Sequence, residues 1–408
     1  MNTRAKDLSE VLQASASVAA SPVPGWPVFT REEAEAVSTV LLGNRVNYWT
    51  GEEGREFERE YAAYFGSAHG VAMANGTVVL DAALAVGGIG PGDEVIVPPR
   101  TYIASVSTVV RAGATPVFVD VDRDSQNMTP ETIERALTSR TRAILCVHLA
   151  GWPCEMTEIM EIARQHGLFV IEDCAQSHGA RLHGRFAGTF GHVAGWSFCQ
   201  DKIMSTGGEG GMVTTDSESL WRAMWSMKDH GKSWEAVYER DHPPGFRWLH
   251  ESFGTNWRMT EMQAAIGRIQ LRRLPDWSAA RRRHAERLWA VCSPLSGLRV
   301  PVIPDHVEHA AYKCYVFVEP KALRASWSRD RIMNELVALG VPAYSGSCSE
   351  VYLERAFDGT PFRPNTPLPV ARELGETSLM FLVHPSLGDE HIEYAAETIE
   401  RVLSAAVL

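Results

Sequence analysis

The sequence predicts an α/β fold in which a mainly parallel central sheet carries helices on both faces, followed by a smaller α+β domain. Strand-like and helix-like segments alternate between residues 71 and 215, and this alternation ends before about residue 290. The strand-like segments are continuous apolar runs, which is typical of strands buried on both faces of a parallel sheet. We therefore expect an N-terminal arm (1–25), a large domain (26–285) and a small C-terminal domain (286–408).

Capping residues and apolar spacing predict the individual elements in chain order. Thr30-Arg-Glu-Glu33 has the capping-box pattern that begins a helix, and a second helix is expected at 52–65. The alternating region then predicts strands at 71–73, 94–97, 116–121, 142–149, 168–173, 192–198 and 212–215, and helices at 78–86, 101–112, 129–138 and 156–166. Beyond it we expect helices at 256–269 and 272–287, a strand at 312–318, and helices that begin at Ser328 and Asp389.

Composition and charge exclude several classes of function. The 408 residues have the apolar and charged content of a soluble globular protein. The formal net charge of -11 argues against non-specific binding to nucleic acid or to an anionic membrane surface. We find neither a signal-peptide pattern nor an apolar run long enough to span a bilayer. The sequence therefore predicts a cytoplasmic protein with no nucleic-acid partner and no membrane partner.

The seven cysteines are scattered along the chain and none forms a CxxC pair, which favours free thiols in a reducing compartment. Cys146, His148 and Cys154 carry metal-ligating atoms. Because Cys146 and His148 alternate within a strand-like run, a packed core is the favoured interpretation of this group. The sequence therefore predicts no metal site.

The chain is organised around residues 197–211, where Lys202 follows a short apolar strand and precedes a glycine-rich turn. A lysine that is held at a strand end and partly removed from water has a lowered pKa and a nucleophilic amine. Such an amine is suited to forming a Schiff base. A single lysine is more often an ordinary surface residue, so this hypothesis depends on the other groups near the strand ends.

Several of those groups are expected at one edge of the sheet, where the carboxyl ends of parallel strands meet. Asn75-Gly76-Thr77 offers backbone N–H groups at a helix start, as a phosphate cradle does. Tyr102 provides a ring that can stack on a flat cofactor, with core packing as the alternative. Asp173 is a carboxylate at the end of a buried strand, where it needs a cationic partner or caps a helix. Gln176 and Ser197 follow at the same edge.

Together these groups are the set that pyridoxal 5'-phosphate (PLP) requires. The cradle and Ser197 would bind the phosphate, and the aromatic ring would stack on the pyridine. Asp173 would keep the pyridine nitrogen protonated, so that the ring accepts the electron pair from the substrate Cα. Lys202 would hold the cofactor covalently and then act as the general acid and base.

Six blocks of the sequence occur in an order that is specific to one family: residues 74–77, 91–98, 113–120, 171–180, 197–211 and 256–267. In these blocks the chain resembles the DegT/DnrJ/EryC1/StrS sugar aminotransferases, which have the fold of aspartate aminotransferase (fold type I). The resemblance extends from residue 27 to the C-terminus. It implies that the large domain binds PLP and that Lys202 and Asp173 are the catalytic residues. The implied cofactor contacts are Gly76, Thr77, Tyr102, Asp173, Gln176, Ser197, Lys202 and Asn256.

The resemblance also implies how the subunits and substrates are arranged. Asn256 would reach the cofactor phosphate of the neighbouring subunit, which makes the protein a homodimer with shared active sites. His230 matches a residue near the rim of the family's active site. One branch of the family replaces the lysine by histidine and removes a sugar hydroxyl, so the presence of Lys202 favours transamination.

The sequence departs from the family pattern in three places. Cys199-Gln200-Asp201 precede the lysine. Gln200 makes this stretch similar to that of the cyclitol aminotransferases and aminohydroxybenzoate synthases of the family. We hypothesise that Arg100 contacts an anionic group of the substrate or the amino donor, with a surface charge or a structural ion pair as the alternative. Tyr344 belongs to a divergent stretch, 344–350, and is expected to line the substrate side.

The predicted function is a PLP-dependent transfer of an amino group from an amino acid to a keto-sugar in amino-sugar biosynthesis. The resemblance favours L-glutamate as the amino donor and a nucleotide-linked sugar as the acceptor. Three alternatives stay open: a keto-cyclitol aminotransferase, a PLP-dependent dehydratase similar to aminohydroxybenzoate synthase, and a catalytically silent relative that binds or regulates.

Overall fold

The computed structural model describes residues 23–408, so most of the predicted N-terminal arm lies outside the described residues. Helices and strands alternate through the first half of the described chain, as the apolar runs predict. The helices are α1 (Arg31–Leu42), α2 (Glu53–Phe65), α3 (Gly76–Val86), α4 (Ala104–Arg111), α5 (Pro130–Ala136), α6 (Met156–His166), α7 (Glu218–Lys228), α8 (Trp234–Tyr238), α9 (Glu261–Cys292), α10 (Arg329–Ala338), α11 (Pro369–Thr377) and α12 (Asp389–Ala406).

The strands form three sheets, of which the largest has seven strands. Short 3-10 turns, such as Leu149–Gly151, connect some of the elements. The strands are β1 (His69–Met73), β2 (Glu94–Val97), β3 (Thr115–Phe118), β4 (Thr141–Val147), β5 (Phe169–Asp173), β6 (Arg181–Leu182), β7 (Arg185–Phe186), β8 (Val193–Ser197), β9 (Gly211–Thr215), β10 (Leu298–Arg299), β11 (Val307–Glu308), β12 (Cys314–Val318), β13 (Ala343–Tyr344) and β14 (Ser378–Phe381).

The seven-stranded sheet has the order β1-β9-β8-β5-β4-β2-β3. Strand β9 is antiparallel to both of its neighbours, and all other neighbouring pairs are parallel. Alternate residues of β2 enter different cores, since Val95 and Val97 pack in one cluster and Ile96 in another. The prediction of a mainly parallel sheet with helices on both faces is therefore confirmed. The carboxyl ends of β1, β2, β5 and β8 all lie at one edge, where ligands of such sheets bind.

A second sheet, β10-β12-β14-β13, is antiparallel and lies in the C-terminal part of the chain. Its strands pack with α10 and α12 around a separate apolar core that includes Val316, Ile332 and Ile399. A third, three-stranded sheet joins β11 to the β6-β7 hairpin. The domain limits at residues 25 and 285 stay a prediction.

The long helix α9 differs from the prediction of two helices at 256–269 and 272–287. It begins at Glu261 because Thr260 caps it: the Thr260 side chain accepts a hydrogen bond from the Gln263 N–H, and the Gln263 side chain accepts from the Thr260 N–H. It then continues through Pro275 to Cys292 without a break. Asn256 consequently lies in an extended segment before the helix. Within residues 23–408, none of the helices has the length and apolar character that a membrane span requires.

Candidate active site

Gly76 and Ser197 form a closely packed corner where α3 begins beside the end of β8. A Cβ atom on Gly76 would lie 2.6 Å from the Ser197 Cβ and 2.9 Å from its Oγ, so only glycine permits this approach. Asn75 caps α3, and its side-chain oxygen accepts from the backbone N–H groups of Thr77 (3.0 Å) and Val78 (3.1 Å). The start of a helix and a serine hydroxyl thus share one corner, a geometry suited to binding phosphate.

Asp173 ends β5 and is 7% exposed. Its carboxylate accepts hydrogen bonds from the Ser105 hydroxyl (2.8 Å) and the Ala175 N–H (3.1 Å). Burial raises the pKa of Asp173, and neither these hydrogen bonds nor the charge of Lys202 fully offsets that effect. Within residues 23–408, no cationic side chain lies at ion-pair distance from it. A protonated ring nitrogen would supply the missing cation.

Lys202 lies in the turn that follows β8, and its side chain is 15% exposed. The Trp26 indole N–H donates to the Lys202 backbone carbonyl at 2.7 Å and so holds this turn in place. The Lys202 Nζ is 3.7 Å from a carboxylate oxygen of Asp201 and 5.4 Å from the centre of the Tyr312 ring. Its positive charge also lowers the pKa of Asp173. The amine and the buried carboxylate are therefore close enough to interact electrostatically.

Tyr102 lies in the loop before α4 with 70% of its surface exposed. Core packing, the alternative interpretation of this ring, is therefore wrong. The loop is tied to Asp173, because the Thr101 hydroxyl contacts the Ser105 hydroxyl (2.8 Å), which in turn donates to the carboxylate. Gln176 is 8% exposed, and its side-chain oxygen accepts from the Ala150 N–H at 2.8 Å.

Arg100 is fully buried, which contradicts the hypothesis that it contacts a substrate or donor anion. Its Nε donates to Gln126 (2.8 Å), and its terminal nitrogens donate to the hydroxyls of Ser349 (2.8 Å) and Ser378 (2.9 Å). The guanidinium also lies 5.5 Å from the centre of the Tyr315 ring. The ion-pair alternative is wrong too, since these partners are neutral. Arg100 instead links the loop that carries Tyr102 to two segments of the C-terminal part.

We predict that Arg100→Met lowers the free energy of unfolding by about 1–3 kcal/mol, because the Gln126 amide oxygen loses its buried donor. Urea-induced unfolding measures this change. Arg164→Met, on the exposed side of α6, is the control and is expected to change stability by less than about 0.5 kcal/mol. A raised KM for the donor at unchanged stability would instead support the hypothesis that Arg100 contacts the donor.

Three further predicted residues are solvent-exposed: His230, Asn256 and Tyr344. His230 has a φ of 59°, a left-handed conformation that few residues other than glycine adopt. Asn256 forms an isolated β-bridge with Asp229. Tyr344 belongs to β13 at the edge of the second sheet and is 46% exposed. In the single subunit none of the three is seen to join the group around Lys202, and their roles stay predictions.

Asp229, beside His230, is an anchoring residue that no sequence pattern indicates. Its fully buried carboxylate accepts from the Trp49 indole N–H (2.6 Å), from Lys232 (3.0 Å) and from Arg258 (2.7 Å). Because Arg258 is two residues after Asn256, these bonds fix the segment that presents Asn256. An isolated acidic residue in a loop-like stretch carries no sequence pattern from which these partners could be identified.

Cys146, His148 and Cys154 lie in the protein interior, which confirms the packed-core interpretation. The structure adds a buried cluster of potential ligands, His148, Glu172 and Cys174. The Cys154 N–H donates to His148 Nδ1 (3.0 Å), so the opposite nitrogen carries the proton and donates to Glu172 (2.9 Å). Glu172 also accepts from three backbone N–H groups between residues 188 and 191. These bonds give the cluster a structural role in holding that loop.

The arrangement fits PLP on observations made in the structure itself. The Gly76–Ser197 corner matches a phosphate, and the buried Asp173 lacks the cation that a pyridinium would provide. The exposed ring of Tyr102 and the amine of Lys202 lie in loops that follow β2 and β8, whose carboxyl ends are at the same edge of the sheet. Residues that could hold the cofactor are therefore present for its phosphate, its ring nitrogen, its ring face and its aldehyde carbon.

Comparison with known proteins supports the same conclusion. Residues 27–400 match the pattern of the DegT/DnrJ/EryC1/StrS aminotransferase family. The chain belongs to this family. Like its structural neighbours, this aminotransferase has the α/β fold of the fold type I PLP enzymes.

The relatives show what kind of chemistry this aminotransferase shares. It is 37% identical over 362 residues to a UDP-N-acetyl-3-dehydro-alpha-D-glucosamine 3-aminotransferase from Acidithiobacillus ferrooxidans (86% of this chain, 89% of the relative). The X-ray structure of an aminotransferase from Psychrobacter cryohalolentis is 58% identical, with a TM-score of 0.93 over 94% of this chain and 99% of that chain. The PLP form of a putative sugar aminotransferase from Streptococcus pneumoniae is 25% identical, with a TM-score of 0.82 over 94% and 98%. The protein is therefore an enzyme that uses PLP to transfer amino groups.

Proposed function

We propose that this aminotransferase transfers the amino group of L-glutamate to the ketone carbon of a nucleotide-linked keto-sugar. The observation that carries the proposal is that the Lys202 amine and the buried Asp173 carboxylate, which has no ion-pair partner in the described chain, lie at one edge of the parallel sheet. The relative from Acidithiobacillus, by its name, aminates a UDP-linked 3-keto-sugar. In the net reaction the amino group replaces the ketone oxygen of the sugar, and glutamate becomes 2-oxoglutarate.

The residues divide the work between binding and proton transfer. Gly76, Thr77 and Ser197 would hold the phosphate of the cofactor, while Asp173 would keep a positive charge on its ring nitrogen. When bound, PLP supplies the electron sink that accepts the electron pair from the Cα of the donor. Lys202 Nζ would act as the base that removes the Cα proton and then as the acid that returns a proton.

Spectroscopy of the PLP-loaded enzyme tests this function. Adding L-glutamate is expected to remove the visible absorbance band of the bound cofactor, and adding the correct keto-sugar is expected to restore it. A panel of UDP-, GDP- and dTDP-linked keto-sugars and keto-inositols then identifies the acceptor. An unchanged spectrum with every amino acid would overturn the proposal, and turnover of keto-inositols alone would favour the cyclitol alternative.

We also propose that the enzyme is a cytoplasmic homodimer whose active sites are shared between subunits. The segment that carries Asn256 is held by the Asp229 network, and the exposed side chain of Asn256 is available to a second copy. The preceding loop exposes Phe246 (76%), Trp248 (80%) and Phe253 (105%), a density of apolar surface that suits a subunit interface. All seven cysteines are free thiols, which supports a reducing compartment.

Mixing two inactive variants tests the shared site. In a heterodimer of Lys202→Ala and Asn256→Ala chains, one site would carry both defects, and the other would combine an intact Lys202 with an intact Asn256. Activity is therefore expected to return, to about one quarter of the wild-type value per mixed protein if subunits exchange at random, because half of the dimers then have one working site. Each variant mixed with itself is the control. If the mixture stays as inactive as its parents, Asn256 does not act across the interface.

A further inference from the structure

Tyr312, at the start of the C-terminal part, has two cationic side chains near its ring and a third directed to its backbone carbonyl. Lys202 Nζ lies 5.4 Å and Lys313 Nζ 4.8 Å from the ring centre. Arg281 is 2% exposed, and one of its terminal nitrogens is directed to the Tyr312 carbonyl at 3.5 Å. Two other guanidinium nitrogens of Arg281 are buried without a hydrogen-bond partner in the described structure.

Asp201 is the one carboxylate that contacts this cluster in the described part of the chain. It lies 3.7 Å from Lys202 and accepts a hydrogen bond from the Tyr312 hydroxyl. Burial tends to raise the pKa of Asp201. The charges of Lys202 and Lys313 and the hydrogen bond from Tyr312 lower that pKa by more than burial raises it, so the carboxylate stays ionised. Within residues 23–408, Lys313 has no carboxylate within ion-pair distance.

The neighbouring histidines do not alter this balance of charge. Burial lowers the pKa of His178 to about 3 and that of His384 to about 4, and it lowers the pKa of His284 as well. Burial also lowers the pKa of Arg281, to about 9, which leaves it protonated at neutral pH. Burial lowers the pKa of Lys313 as well. In the cofactor-free chain three cations thus face one anion, and when Lys202 is bonded to the cofactor Lys313 and Arg281 still outnumber Asp201. Excess charge removed from water is unfavourable until an anion binds.

Resting on the proposed function, we infer that Lys313 is the binding residue for the α-carboxylate of the amino donor. Lys313 is half-buried and, like the catalytic amine, lies near the Tyr312 ring. Arg281 is enclosed and adds to the positive potential of the cluster. An anion bound at Lys313 would neutralise part of the excess charge around Tyr312. Lys313 would thereby select α-amino acids as donors.

The position of the cluster favours the α-carboxylate over other anionic groups. Lys202 reacts at the carbon that bears the amino group, and the α-carboxylate is attached directly to that carbon. Because Lys202 and Lys313 contact the same tyrosine ring, a charge adjacent to the reacting carbon lies within reach of both. The diphosphate of a nucleotide-linked sugar is separated from the ketone carbon by the sugar ring, and the γ-carboxylate of glutamate by two methylene groups.

A comparison of donors in matched variants tests this assignment. L-Glutamate is compared with L-isoglutamine, whose α-carboxyl is an amide, and with L-glutamine, whose γ-carboxyl is an amide. The half-saturating concentration of each donor is measured from the absorbance change of the PLP-loaded enzyme without acceptor. In the wild type, the α-amide is expected to raise that concentration about 10- to 100-fold relative to glutamate, the range typical of a hydrogen bond to a charged group.

In Lys313→Met we expect glutamate to weaken by the same factor while isoglutamine is unaffected, so that the two donors become equivalent. Lys313→Arg keeps the charge and is expected to restore most of the preference. Lys321→Met, an exposed lysine of the C-terminal part, is the control and should leave the preference unchanged. A general loss of structure would weaken all donors and would not remove this preference.

Three results would overturn the inference. The first is a preference for glutamate over isoglutamine that survives in Lys313→Met. The second is a loss of discrimination against glutamine only, which would assign Lys313 to the γ-carboxylate. The third is a Lys313→Met variant in which only the half-saturating concentration of the keto-sugar changes. A wild-type enzyme that reacts with no α-amino acid would overturn the proposed function itself.

Discussion

The Lys202→Ala variant is expected to fold while losing amino transfer, with kcat lowered by about 10⁴-fold or more. The variant lacks both the amine that bonds to the cofactor and the acid-base group that moves the Cα proton, and general acid-base catalysis alone contributes up to about 10⁴-fold. Borohydride reduction followed by mass spectrometry provides a second measurement. We expect it to attach PLP to the wild-type chain and not to the variant.

Lys202→Arg is the matched variant for this experiment, since it keeps the positive charge beside Asp201 and Tyr312 but lacks a free amine. Both variants are expected to be inactive. An inactive Lys202→Arg would show that the positive charge is not sufficient and that the free amine is required. If Lys202→Arg kept more than about a tenth of the wild-type kcat, the acid-base role of Lys202 would be refuted.

The Asp173→Asn variant is expected to lower kcat by about 10²- to 10³-fold, the typical effect of removing one preorganised electrostatic group. An amide cannot hold the ring nitrogen protonated, so the cofactor loses much of its capacity to accept electrons. Steady-state kinetics at saturating donor and acceptor measures this loss. Asp173→Glu is the control for charge, and activity in Asp173→Asn equal to that of the wild type would exclude the pyridinium role.

Asp173→Asn is expected to lower activity but not to lower the stability of the cofactor-free protein. Burial raises the pKa of Asp173, so the folded chain binds a proton more readily than the unfolded chain. A raised folded pKa means that stability is lost as the pH rises from the ordinary aspartate pKa through the folded one. At neutral pH the neutral asparagine therefore avoids an unfavourable buried charge, and we expect the Tm of the cofactor-free variant to equal or exceed that of the wild type.

Local patterns predicted much of the fold because they depend on near neighbours. Apolar runs located the strands of the parallel sheet, and the predicted bounds of β2 and α6 are those of the structure. The predicted start of α9 at residue 256 is too early, because the capping box of Thr260 and Gln263 begins the helix at Glu261. The predicted helix at 101–112 begins at Ala104, which leaves Tyr102 in a loop.

Contacts between distant parts of the chain account for what the sequence did not predict. The hypothesis of a substrate contact for Arg100 and its surface-charge and ion-pair alternatives all miss its buried hydroxyl partners, because these are 249 and 278 residues away in the sequence. The hydroxyl that supports Asp173 is 68 residues away, on Ser105. The cationic cluster around Tyr312 likewise combines residues from a loop, from α9 and from the start of the C-terminal sheet. Side chains of ordinary type acquire such roles through tertiary packing alone.

The bonds of Arg100 have a consequence for engineering this enzyme by exchange of whole segments with its relatives. A chimaera that takes its C-terminal half from another family member would keep the arginine but would replace its hydrogen-bond acceptors, Ser349 and Ser378, with the residues that the relative has at those positions. Where those residues cannot accept a hydrogen bond, the buried guanidinium would be left without partners, which is destabilising. Functional chimaeras are therefore expected when Arg100, Ser349 and Ser378 are transferred together as one unit.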